Sequence, residues 1–108
     1  MLKKVNRLAK AKDIQKAFAR GRTFFNPFFT VKFVPEAQAQ RFTVVVSTKV
    51  YKNAVARNRL KRILREHLRK NLAGFKKGNY IIMAKPRVKS IPEKEVLKSF
   101  IDLCLKLR

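Results

Sequence analysis

Residues 53–72 contain no Gly or Pro and are rich in Ala, Leu, Arg and Lys, all good helix formers. Ala56, Leu60, Ile63, Leu64 and Leu68 recur at helical spacing and make one apolar stripe. Asn58, Arg62, Arg65 and Arg69 step by four, three and four, so they line a different face, with Lys61 beside it. One side of this helix is suited to a core, and the other concentrates guanidinium groups. Like charges at these spacings repel. Glu66 is the only acid in the segment and is placed to pair with Arg62 and Lys70. The remaining charge calls for an external polyanion.

The rest of the chain sharpens that demand. It has 28 Lys plus Arg against 6 Asp plus Glu, a net charge of +22 over 108 residues. Such a chain repels itself and needs counter-charge in its working state. Nucleic acid is the expected partner. A membrane surface fits less well, because the basic residues are spread along the chain and no helix has an interfacial pattern. A hydrophobic fraction of 46% is that of a folded domain, so a single domain over 1–108 is expected, with residues 1–10 as a basic arm that orders on binding. Cys104 is the only cysteine, which excludes an internal disulfide. No signal-peptide pattern and no membrane-length apolar run occur, so a cytoplasmic protein is expected.

Around the central helix the order is helix, strands, helix, strand, helix. A first helix is expected over Lys12–Arg20, with Ile14, Ala17 and Phe18 on its apolar edge and Gly21 as a left-handed residue past its end. Arg22–Phe25 suits a short edge strand. Phe28–Val34 reads as a strand with Phe29, Val31 and Phe33 on one side and Phe28, Thr30 and Lys32 on the other. Arg41–Thr48 is β-branched through its middle, and Lys49–Lys52 is a basic loop. Tyr80–Ala84 suits a strand buried on both faces. Ser90 and Glu93 have capping-box spacing before a last helix that reaches about Leu107, whose inner stripe is Val96, Phe100, Leu103, Cys104 and Leu107. This mixed order implies an α+β two-layer sandwich.

No catalytic constellation is visible. The acids Asp13, Glu36, Glu66, Glu93, Glu95 and Asp102 are scattered, and Glu93 and Glu95 lie two apart on a helix, facing apart. No metal cluster is expected. His67 borders the apolar stripe and Cys104 falls on a core stripe, so both are expected to be structural. No Gly-rich phosphate loop occurs. These residues describe a binder. No helix-turn-helix, zinc finger or zipper is visible, whereas a sheet with aromatic strands favours RNA or single strands. Phe24, Phe25, Phe28, Phe29 and Phe33 are candidates to stack on bases, though five Phe near a small core are mostly core.

The run from Asn53 to Glu66, with Arg57-Asn58-Arg59-Leu60-Lys61-Arg62 at its centre, resembles the signature of the bacterial ribonuclease P protein subunit. Asn6-Arg7-Leu8, then Asp13 to Phe18 and Gly21, resembles that family's first helix. Val46-Ser47-Thr48-Lys49 resembles its strand end, and Tyr80-Ile81-Ile82 its last strand. The resemblance implies the order α-β-β-β-α-β-α, a four-stranded mixed sheet and a β-α-β crossover of the unusual left hand. It implies a protein that binds the catalytic RNase P RNA and the 5′ leader of precursor tRNA. The Mg2+ ions would lie on the RNA, with no catalytic residue and no cofactor on the protein.

By position, the resemblance makes Arg57, Asn58, Arg59, Lys61, Arg62, Arg65, Arg69 and Lys49 RNA-binding, and Phe18, Ile14, Lys32 and Ser47 cleft residues. Ile14 and Lys32 stand where the family often has aromatics, which implies a leader grip relying more on charge. The loop Tyr51-Lys52-Asn53 lacks the glycine common in the family. The alternatives are a ribosomal or assembly protein, expected to co-purify with ribosomal subunits, and an autonomous nuclease, expected to cut RNA with metal alone.

Overall fold

The structure, a computed structural model, describes residues 2–35 and 39–107. Its elements are α1 (Ala11–Arg20), β1 (Arg22–Phe25), β2 (Phe29–Val34), β3 (Gln40–Val45), α2 (Ala54–Lys70), β4 (Gly78–Ala84) and α3 (Glu93–Leu105). The order is the expected one. The four strands form one mixed sheet in the order β1-β2-β4-β3. β1 and β4 run antiparallel to β2, while β3 lies parallel to β4. A parallel neighbour needs a crossover, and α2 supplies it.

One face of the sheet meets α2 and α3. Phe29, Val31 and Phe33 from β2, Phe42 and Val44 from β3, and Tyr80 and Ile82 from β4 share one core with Leu60, Leu64 and Leu68 of α2 and Val96, Phe100, Leu103 and Cys104 of α3. Each such Leu, Val or Phe stabilises the fold by about 1.5–3 kcal/mol. The stripe expected on α2 is therefore its buried side. Asn53 caps α2, its Oδ1 accepting from the Val55 N–H at 2.7 Å.

α1 lies on the opposite face and adds a partial third layer. Ala17 is buried with Leu8, Val34 and Ile81, and Ile14 and Met83 pack around them. This is why Tyr80–Ile82 is apolar without alternation: Ile81 faces α1 while Tyr80 and Ile82 face α2 and α3.

Several local expectations are corrected. Gly21 has φ −68°, not a left-handed value. A Cβ there would stand 2.3 Å from the Ala17 carbonyl oxygen and 3.2 Å from the Phe33 nitrogen, so close approach to helix and strand requires the glycine. Ser90 does not cap α3. It ends the 3-10 turn Pro86–Ser90, and its Oγ donates to the Arg87 carbonyl at 2.7 Å. β3 stops at Val45, short of the expected Thr48, and turns through 48–50. Residues 2–8 of the N-terminal arm pack against the fold. Leu2, Asn6 and Leu8 are buried, the Leu8 N–H donates to the Phe42 carbonyl at 2.8 Å, and Asn6 Nδ2 donates to the Gln40 carbonyl at 2.7 Å. The arm thus covers part of the free edge of β3, an unpaired row of backbone donors and acceptors that a sheet rarely leaves open.

Candidate nucleic-acid interface

The face of α2 turned away from the core carries Asn58, Arg62, Arg65 and Arg69, all exposed. Lys61 flanks them and is half-buried. Arg62 and Arg65 have no ion-pair partner among the described residues. Arg65 also borders a hollow lined by Leu2, Arg7, Leu8, Phe42 and Thr43, so the basic edge of α2 runs into the arm. Arg69 is engaged: its Nε donates to Glu66 Oε1 at 3.1 Å, and its Nη2 donates to the same oxygen. That hydrogen bond holds the Glu66 carboxyl below its ordinary range and raises Arg69. The sequence places Glu66 to pair with Arg62 and Lys70; its hydrogen-bonded partner is Arg69, at i,i+3, and the Lys70 charge acts on the same carboxyl.

Two of the expected RNA-facing arginines make contacts within the protein. Arg57 is half-buried, and its Nη1 donates to the carbonyl oxygens of Tyr51 at 2.9 Å and Lys52 at 2.7 Å. It fixes the loop before α2 by tying two successive carbonyls to one guanidinium. Arg59 lies on the α3 flank and pairs with Glu93. The hydrogen bond with Glu93 raises the Arg59 pKa above its ordinary value. Ser47 and Lys49 are exposed on the turn leaving β3. The Ser47 carbonyl accepts from Val50 and Tyr51, which holds that turn closed.

A second surface lies on the α1 side of the sheet. Strand register places Thr43, Ile81, Lys32 and Thr23 in one row across the strands, and Val45, Met83, Thr30 and Phe25 in the next. Ile14 is half-buried against the first row's Ile81 and is committed to holding α1. Phe18, one turn on, is 47% exposed. Lys32 is half-buried, with Nζ donating to Thr23 Oγ1 at 2.8 Å. The Phe-rich segment divides sharply: Phe29 and Phe33 are core, Phe24 and Phe28 pack against it, and Phe25 is exposed.

His67 is structural in its surroundings. Its Nδ1 lies 3.2 Å from Asn71 Nδ2, and its ring stands edge-on to Phe100 at 5.7 Å. Cys104 is buried. Among the described residues no group of three or more His, Cys, Asp or Glu is placed to hold a metal ion. Among them too, no helix is long and apolar enough to cross a membrane.

The ribonuclease P family model matches residues 2–108. The chain belongs to the ribonuclease P protein family. It is 36% identical over 104 residues to the ribonuclease P protein component of Listeria innocua, covering 94% of this chain and 87% of that protein. It is 33% identical to that of Finegoldia magna, covering 93% and 88%. The solved structure of the Staphylococcus aureus RNase P protein superposes with a TM-score of 0.83 at 26% identity, covering 92% of each chain. The Thermotoga maritima RNase P protein gives 0.78 at 25% identity, covering 94% and 97%. The chain is thus a protein subunit of the RNase P endoribonuclease, a tRNA-processing ribonucleoprotein, and its partner is RNase P RNA. Membership sets aside the ribosomal alternative.

Strand periodicity carries a signal for the α1-side rows, because residues two apart share a face. The sequence alone does not reveal that Thr43, Met83 and Phe25 share one surface with Lys32, since strand order is needed to join them.

Proposed function

We propose that this domain docks on RNase P RNA through the outer edge of α2 and holds the 5′ leader of precursor tRNA against the sheet beside α1. Arg62, Arg65, Asn58 and Lys61 meet phosphates and sugar, with Lys49 and Ser47 extending the contact and Arg69 joining it by exchanging Glu66 for RNA. Arginine suits this role because its planar fork matches a phosphate in two parallel hydrogen bonds. Phe18 offers a ring to a leader base, and Lys32 offers charge where Ile14 offers only apolar support. Bond breaking and its Mg2+ ions belong to the RNA, and the complex works in the cytoplasm.

The observation that carries this reading is the exposure of Arg62 and Arg65 on one edge of α2, without an acidic partner among the described residues, in a chain of net charge +22. Counterion release on phosphate binding stabilises the complex and makes it salt-dependent.

The test is reconstitution with a bacterial RNase P RNA at low magnesium. The expected result is faster precursor cleavage than by RNA alone, with tighter binding of precursor than of mature tRNA. Equal cleavage with and without protein would overturn the proposal.

A further inference from the structure

The row Val45–Met83–Thr30–Phe25 crosses all four strands on the α1 side. At ordinary strand spacing it spans about 14 Å from the β3 edge to the β1 edge. Its two ends are open, Val45 at 41% and Phe25 at 66% exposure.

Core packing does not account for the Phe25 ring. Phe24 precedes it and packs against the core, so strand alternation turns Phe25 to the other side. The ring is nevertheless held in place. Lys85 Nζ lies 5.1 Å from its centroid and donates to the Asn26 carbonyl at 2.7 Å. The Lys85 backbone N–H donates to the Phe28 carbonyl at 2.8 Å, which anchors the other end of that side chain. In the adjacent row, about 6.8 Å along the strands, Lys32 presents a second ammonium group. Phe25 is therefore an oriented aromatic surface between two cations. A second copy of a +22 chain is repelled from such a place. A polyanion with flat, apolar units is complementary to it, and unpaired RNA has both properties.

We propose that Phe25, oriented by Lys85, is a stacking platform for a base of single-stranded RNA and forms the β1-edge end of the leader path. This inference rests on the leader-binding reading above. Phe25 supplies the ring face, and Lys85 and Lys32 meet the flanking phosphates.

The test uses the holoenzyme reconstituted with a bacterial RNase P RNA. Dissociation constants are measured for precursor tRNA and for mature tRNA, and their ratio isolates the leader's share. With a wild-type ratio above one, Phe25→Ala and Phe25→Leu each lower it by about fivefold to a hundredfold, while Phe25→Trp keeps it within about twofold. The ring is largely solvent-exposed, so none of these changes opens a core cavity. An unchanged ratio in Phe25→Ala, or full retention in Phe25→Leu, overturns the platform and leaves the leader reading standing. A wild-type ratio of one overturns both.

Discussion

Arg59 and Glu93 face each other across the α2–α3 junction, with Arg59 Nε donating to Oε2 at 2.8 Å and Nη2 to Oε1 at 3.3 Å. The pair ties the basic helix to the first turn of α3, where an acid is also favoured by the helix dipole. It engages one guanidinium that RNA would have to draw away from a carboxylate. Arg59→Ala is therefore expected to change RNA affinity less than Arg62→Ala or Arg65→Ala. In salt titrations of binding to RNase P RNA, each of the latter should flatten the log–log slope by roughly 0.7–0.9, the contribution of one phosphate contact. Equal slope changes for Arg59 and Arg62 would place Arg59 on the RNA as well.

Arg57 acts through the loop it holds. Arg57→Ala removes the donor to the Tyr51 and Lys52 carbonyls, which should cost about 1–3 kcal/mol and loosen residues 47–53. Arg57→Lys should recover little, because one ammonium does not reproduce the fork. Hydrogen exchange at Val50 and Tyr51 reads the loosening directly. Unaltered protection there would show that the loop stands without Arg57.

Phe18→Ala should weaken leader binding by about 1–3 kcal/mol, the usual range for a base stacked on an aromatic ring. Phe18 is 47% exposed, so only a modest effect on the urea midpoint is expected. A large loss of stability with leader affinity intact would make Phe18 a support for α1 and nothing more.

Gly21→Ala often stabilises a chain by restricting its unfolded state, but here the opposite is expected. The new methyl would collide with the Ala17 carbonyl and crowd the Phe33 nitrogen, so α1 must shift from β2. A loss of about 1–3 kcal/mol in urea unfolding is expected, as for other overpacked sites. A gain in stability would show that the junction relaxes freely.

Burial holds the Tyr80 hydroxyl in its neutral form and pushes its pKa up to about 12, and the neighbouring Cys104 adds to this in the same direction. Its hydroxyl donates to the Lys76 carbonyl at 2.6 Å. An unfolded tyrosine releases its proton near pH 10. Above pH 10 the unfolded state therefore holds fewer protons than the folded state, and stability falls as pH rises from 10 to 12. Tyr80→Phe should remove that part of the decline in the urea midpoint. An identical alkaline profile for both proteins would assign the decline to other groups.

The helical periodicity of residues 54–70 and the alternation along Phe29–Val34 specified those elements without help, because both patterns are local and recur every few residues. The same patterns located the apolar side of α2 and the basic edge opposite it. The motif over 53–66 then indicated the family. What local pattern does not carry is the partner of each charged or apolar group. Arg59 and Arg62 look alike in sequence, yet one meets Glu93, 34 residues away, and the other faces solvent. Phe24 and Phe25 are neighbours of identical type; alternation turns them to opposite faces, and the position of β1 at the sheet edge leaves Phe25 open. The burial of Leu2, Asn6 and Leu8 was equally hidden, since it depends on the free edge of β3. Sequence set which segments form helices and strands and how much charge they carry. Tertiary contacts between distant residues decided which of those charges and rings are paired inside the fold and which stay open to solvent.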